Sequence, residues 1–434
     1  MADATATADL KNTRTATQNH TGLLARLGPG LITGAADDDP SGIATYSQVG
    51  AQFGYGMLWT MLFTFPLMAA IQEICARLGR ITGRGVAANL RENYPRSVLL
   101  GLVLLLCSAN IFNIGADVGA MGACAQLVLK GRAEVWVLFF GLLSLICQVW
   151  IPYRRYVHYL KWLTLVLFAY VATAFVVHVP WREAIYRTAV PSVSWKSDYL
   201  MALVAVFGTT ISPYLFFWQT SQEAEEVRVH KKENPLKRNP SQALQQFRRI
   251  ATDTRVGMAF SNIVAFFIIL TSAVTLHSHG GANVKTAADA AKALEPLAGR
   301  LAFSLFAVGI IGTGMLAVPV LAGSAGYAVA ETFRWRASLQ SKPHQARRFY
   351  WTIVAATGIG IALTFVGLDP IRSLFLSAVF NGIAAVPLMI FLMIVSENAT
   401  VVSRFRLPAY LRAAGWIASG IMLCVSLAFL LTAI

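Results

Sequence analysis

Apolar segments of membrane-crossing length recur along this chain, from about residue 24 to residue 433. A bilayer core has no water to bond the backbone, so only helices and closed barrels can cross it. The segments are continuous rather than short and alternating, which excludes a β-barrel. Only 13% of the residues are charged, against about 25% in a soluble domain. The expected fold class is an all-α polytopic membrane protein.

Eleven transmembrane helices are expected, at about 24–52, 55–80, 97–129, 133–151, 157–178, 199–225, 247–277, 298–333, 346–366, 369–396 and 409–433. The third and eighth are long enough to tilt or to extend past the bilayer. Residues 1–22 are polar and read as a disordered cytoplasmic tail with no cleavable signal. With the N-terminus inside, 27 of the 36 Lys and Arg fall on the cytoplasmic side. Positive charge stays inside, so the N-terminus is expected to be cytoplasmic and the C-terminus extracytoplasmic. A bacterial inner (cytoplasmic) membrane fits this pattern. The net charge of +15 is then a matter of topology, and no nucleic-acid partner is expected. The lipid bilayer is the expected surrounding. Nothing in the sequence fixes the oligomeric state. The cysteines Cys75, Cys107, Cys124, Cys147 and Cys424 all fall inside spans and read as small apolar side chains.

Two spans carry a break. In the first, Asp37-Asp38-Asp39-Pro40-Ser41-Gly42 places three acids before a proline. A carboxylate at bilayer depth costs ~2.5–3.5 kcal/mol on insertion scales, so packing alone is a poor explanation. In the sixth, Pro213 lies within Gly208-Thr209-Thr210-Ile211-Ser212-Pro213-Tyr214. Proline removes a helical hydrogen bond and clashes with the preceding turn. Five spans separate the starts of the two broken helices, and an odd offset inverts the second unit. Paired broken helices in two inverted five-helix repeats point to a transport site at the midplane. The repeats are expected at about 23–178 and 199–396, with an extra helix at 409–433, all in one transporter domain over 23–433.

The first span reads Gly28-Pro29-Gly30, eight residues, then Asp39-Pro40-Ser41-Gly42. It resembles the Nramp divalent-metal transporters, which carry GPG and, at the same spacing, Asp-Pro-Gly-Asn. Ser212-Pro213-Tyr214 falls where that family has Met-Pro-His. Leu368-Asp369-Pro370-Ile371-Arg372, leading into Leu376-Ser377, resembles the start of its tenth span. The resemblance covers about residues 23–430. It implies the LeuT/APC-like fold and a metal site drawn from Asp39 and from positions 42 and 212. Here Gly42 replaces the Asn, Ser212 the Met and Tyr214 the His. On the third span, Asn110 and Ile114 stand at two positions where the family has proton-linked acids, and Asp117 is kept. Arg347-Arg348 correspond to an arginine pair on its ninth span.

These departures bear on the ion. A thioether favours Mn²⁺, Fe²⁺ and softer ions over Mg²⁺. Without it, the candidate ligands are oxygens: Asp39, Asp38, Ser212, Thr209 and the unwound backbone around Gly42. Hard oxygens suit Mg²⁺, and small side chains leave room for the waters it keeps. The chain thus resembles the Nramp-related magnesium transporters. The expected substrate is a divalent cation, Mg²⁺ with Mn²⁺ as a second ion, with no cofactor. Helical residues point about 100° apart, so the three aspartates cannot all face one ion. Asp39, at the break, is the expected direct ligand. With Asn110, Ile114 and Tyr214 at the relay positions, transport uncoupled from protons is expected.

Asp37, Asp117, Asn110, Asn113, Tyr214, Asn381, Gln219 and Glu223 are further candidates for the surround of the site or the ion pathway. Asn110, Asn113 and Asp117 share one helical face, which a structural hydrogen-bond network would also explain. Gln72 and Glu73 form an intramembrane polar pair of either functional or structural use. Glu225 and Glu226 read as a solvated helix end. Three rivals follow from the same features: a proton-coupled Mn²⁺/Fe²⁺ importer, an amino-acid transporter of the same fold and an intramembrane enzyme. The second is disfavoured because three aspartates would repel a substrate carboxylate, and the third because no His spacing suits a metalloprotease.

Overall fold

The computed structural model describes residues 29–151, 163–229, 234–280 and 284–433. The expected tail, residues 24–28 of the first span and residues 157–162 of the fifth lie outside them. Among the described residues there is no strand. The principal helices are α1 (Pro29–Asp37), α2 (Pro40–Phe53), α3 (Trp59–Thr82), α4 (Val86–Asn93), α5 (Arg96–Leu129), α6 (Ala133–Trp150) and α7 (Phe168–Val176). They continue with α8 (Trp181–Ala189), α9 (Ser197–Thr210), α10 (Pro213–Val229), α11 (Ala243–Thr275), α12 (Ala302–Thr332), α13 (Arg347–Leu363), α14 (Pro370–Glu397) and α15 (Ala409–Ala433).

Among the described residues, nine stretches are long and apolar enough to cross a membrane, with α9 and α10 forming one of them. The first expected span is not among them: its described part carries Asp37, Asp38 and Asp39 at the break, too many charges for an apolar stretch. The 34 residues of α5 rise about 51 Å at 1.5 Å each, well beyond a hydrocarbon core of about 30 Å. The short helices α4 and α8 lie in connections that the hydropathy pattern leaves blank.

Proline alone does not set the breaks. Pro66, Pro319 and Pro387 each sit inside a continuous helix, and each follows an apolar residue: Phe65, Val318 or Val386. Pro40, Pro213 and Pro370 each open a helix, and each follows a side chain that bonds to nearby backbone. Asp39 accepts from the Gly42 amide and Asp369 from the Arg372 amide. Ser212 Oγ donates to the carbonyls of Gly208 (2.9 Å) and Thr209 (2.8 Å) at the end of α9. A capping residue followed by proline ends one helix and starts the next.

The packing is reciprocal. α1 and α2 lie on α11, α10 lies on α3, and α5 lies on α12. Under an inverted repeat, span 1 maps to span 6, span 2 to span 7 and span 3 to span 8. The span 1–span 7 contact then maps to span 6–span 2, and the span 3–span 8 contact maps to itself. α9 meets α14 without an intervening side chain: a Cβ added at Gly208 would lie 2.7 Å from the Gly382 Cα.

One expectation changes, and two open readings gain detail. Glu225 is not a solvated end: it is buried and accepts from Tyr327, Ser338 and the Gln340 amide, tying α10 to the connection after α12. Glu73, open between functional and structural use, binds Arg77 (2.7 Å) and Arg255 (3.1 Å) and accepts from the Tyr410 hydroxyl (3.3 Å). Arg347 and Arg348 open α13 on the exposed surface, with Arg348 over the Trp335 ring.

A Cβ at Gly382 would sit 2.7 Å from Val204 Cγ1. Gly382→Val should therefore destabilise the protein by about 1–3 kcal/mol, read as a lower Tm in detergent. Gly358→Val, where an added Cβ meets nothing within 4 Å, should leave Tm close to wild type.

Candidate functional site

Asp39 adopts an extended backbone, φ −73° and ψ 170°, and caps α2. Its Oδ1 accepts from the Ser41 hydroxyl (2.6 Å) and the Gly42 amide (2.7 Å). Its Oδ2 accepts from Asn113 Nδ2 on α5 (3.0 Å). Asn113 Oδ1 in turn accepts from Ser377 on α14 (2.6 Å). A carboxylate has about four lone-pair positions, and these bonds, with the Ser41 backbone amide also beside it, hold it in a fixed orientation.

Asp37 and Asp38 turn elsewhere. Both meet the Ser261 hydroxyl on α11, at 2.6 and 3.0 Å. The acidic run therefore splits, with Asp39 toward α5 and α14 and its two neighbours toward α11. Asp117 lies beside Asp39 and the Ser41 backbone, and neither of its carboxyl oxygens has a hydrogen bond of ordinary geometry. All four acids are at most 1% exposed, and none forms an ion pair among the described residues. Among the described residues no three His, Cys, Asp or Glu side chains converge on one metal-sized point.

The other candidates divide. Gly42 packs directly on Thr209: a Cβ there would lie 2.9 Å from the Thr209 hydroxyl, which places the two broken helices in contact. Ser212 spends its one proton on the α9 carbonyls, so its lone pairs face away from them. The Tyr214 hydroxyl donates to the Ala36 carbonyl (3.0 Å), one of the carbonyls that the break in span 1 sets free. Asn381 is one turn from Ser377 on α14, fully buried, with neither amide atom bonded. Asn110 faces away from Asp39, bonding the Leu321 carbonyl (2.9 Å) and Ser324 (2.6 Å) on α12. Gln219 accepts from Thr33, and Glu223 is paired with Arg249 at 2.6 Å; both serve helix contacts.

Sequence reasoning missed Ser261 as a partner of the acids and left Ser377 without a role. Each had a signal: Ser261-Asn262 is a polar pair in an apolar stretch of α11, and Ser377 follows the Asp369-Pro370 motif. At the end of the bundle away from most of the basic residues, a cavity of ≈540 Å³ is lined by Ala44, Gln48, Gln52, Lys285, Asp369 and Arg372. Ala44 is one turn from Pro40, so the cavity approaches the break. Toward the basic end, the Thr33–Gln219 bond joins α1 to α10.

The sequence profile described as "Natural resistance-associated macrophage protein-like" matches residues 30–432. The chain is 25% identical over 418 residues to the divalent metal cation transporter MntH of Klebsiella pneumoniae (strain 342), covering 93% of each. It is 26% identical over 382 residues to MntH of Acidiphilium cryptum, covering 86% of this chain and 82% of the relative. Among solved structures, the Eremococcus coleocola manganese transporter aligns with a TM-score of 0.73 at 18% identity, over 96% of this chain and 88% of that one. The nucleobase-cation-symport-1 family transporter MHP1 aligns at 0.60 and 14% identity, over 94% and 92%.

Asn113 links Asp39 to α14, and polar groups that orient a ligand typically set 10- to 100-fold in metal affinity. Asn113→Ala should weaken divalent-cation binding by about 10- to 100-fold, measured by calorimetry on purified protein. Asn110→Ala, whose bonds go to α12, should leave that affinity close to wild type.

Proposed function

The chain belongs to the Nramp family, and from that premise we propose that it imports Mg²⁺, with Mn²⁺ as a second ion, by alternating access and without proton coupling. The observation that carries this is the Asp39 carboxylate, buried at the break of span 1, held by Ser41, Gly42 and Asn113 and paired with no basic residue among the described residues. The nearby groups are oxygen donors: Asp117, the Thr209 and Ser212 hydroxyls and the backbone freed at both breaks. Hard oxygen donors favour Mg²⁺ over softer ions. Asp39 is the proposed direct ligand, Thr209, Ser212 and the Gly42 backbone its companions, and Asp38 acts through water. Asn381, with both amide atoms free, is placed on the ion's path.

The basic end is taken as cytoplasmic, by the distribution of Lys and Arg. The cavity at the opposite end then faces outward. The relatives' names support the metal class: those proteins are described as divalent metal cation or manganese transporters. One observation favours proton coupling as a second reading. Asp117 is a buried acid beside Asp39 whose carboxyl oxygens make no hydrogen bond of ordinary geometry, as suits a proton acceptor.

Proteoliposomes decide between them. Wild type should admit Mg²⁺ and Mn²⁺ with no acidification of the lumen, and Asp39→Ala should reduce both fluxes at least tenfold. Unchanged Mg²⁺ influx in the variant would remove Asp39 from the site, and stoichiometric proton entry would establish the coupled reading.

A further inference from the structure

Among the described residues α1 covers Pro29–Asp37, and the break severs it from α2. Helices in proteins draw most of their stability from packing, so what keeps α1 closed comes from its neighbours. Two side-chain bonds on its flanks do so. The Gly30 amide, in the first turn, donates to Asp253 Oδ2 of α11 at 2.8 Å, and Thr33 donates to Gln219 of α10. Between them, α1 lies flush on α11. An added Cβ at Gly30 would come within 2.8 Å of the Thr254 amide nitrogen, and one at Gly34 within 2.7 Å of the Gly257 Cα.

The first-turn amides of a helix lack partners within it and carry its positive end. A capping residue in the preceding chain usually supplies the acceptor. Here a carboxylate on a different helix bonds the Gly30 amide. Asp253 is 2% exposed, and its charge is felt by the Glu223–Arg249 pair that joins α10 to α11. The acceptor is thus fixed in the same layer of contacts that closes the basic end.

We propose that Asp253 is the positioning residue that latches α1 shut, and that release of its bond to the Gly30 amide is part of opening the site toward the basic end. The proposal rests on alternating access, but its first readout needs neither transport nor metal. In full-length protein in nanodiscs, hydrogen–deuterium exchange of the α1 amides should rise about 2- to 30-fold in Asp253→Ala, the range expected for loss of a cap. Exchange in α5 and α12 should not change. Asp253→Asn keeps an acceptor oxygen and should restore slow exchange. In uptake assays, Asp253→Ala should raise the KM for external metal by a similar factor while the maximal rate is kept.

Unchanged α1 exchange in Asp253→Ala would overturn the latch. So would exchange raised equally in every helix, which would mark general destabilisation. Failure of Asp253→Asn to rescue would overturn capping as the means. Loss of metal uptake in wild type would instead count against the proposed function and leave the exchange result standing.

Discussion

Four carboxylates buried in an apolar bundle, with no basic residue paired to them among the described residues, are the constraint on which this architecture turns. Charges taken out of water must be matched by hydrogen bonds, protons or a cation. The protein supplies the first in part. Ser41, Gly42 and Asn113 satisfy Asp39, and Ser261 serves Asp37 and Asp38 together. What remains unsatisfied is an attraction for positive charge, concentrated where the helices stop.

The breaks make this arrangement possible. An uninterrupted helix would fan Asp37, Asp38 and Asp39 around its axis and leave no backbone group free. Stopping at Asp37 and restarting at Pro40 lets Asp39 serve as cap and candidate ligand together. The partner break at Ser212-Pro213 sits opposite because Gly42 lacks a side chain and meets Thr209 directly. Tyr214 then takes up the Ala36 carbonyl left by the first break. The second break thus answers a backbone group that the first leaves unmet, while Ser212 serves the carbonyls of its own break.

Much of this was legible in the sequence. Span positions follow from hydropathy, and the two helix breaks follow from a capping residue before proline. Pro66, Pro319 and Pro387 show the complementary rule, since an apolar residue before proline leaves the helix running. The three aspartates marked the site, but not how they divide. That division depends on Ser261, which is 222 positions beyond Asp39 in the sequence. Likewise Asn110 and Asn113 share a helical face, yet only Asn113 reaches Asp39, because α12 lies against the turn that carries Asn110. The buried role of Glu225 was hidden because its partners, Tyr327, Ser338 and Gln340, come from distant chain. Local pattern shows where a helix starts and stops; which partner a buried polar group finds is decided by tertiary packing.

The central claim is that a hard divalent cation sits beside Asp39 Oδ2, between the two helix breaks. Anomalous scattering from crystals grown with Mn²⁺ tests it most directly. The account predicts one peak bounded by Asp39, Thr209 and Ser212, which fades when Mg²⁺ is added in excess. A peak between Asp37, Asp38 and Ser261 instead, or one at Asp39 that Mg²⁺ in excess cannot displace, would contradict it.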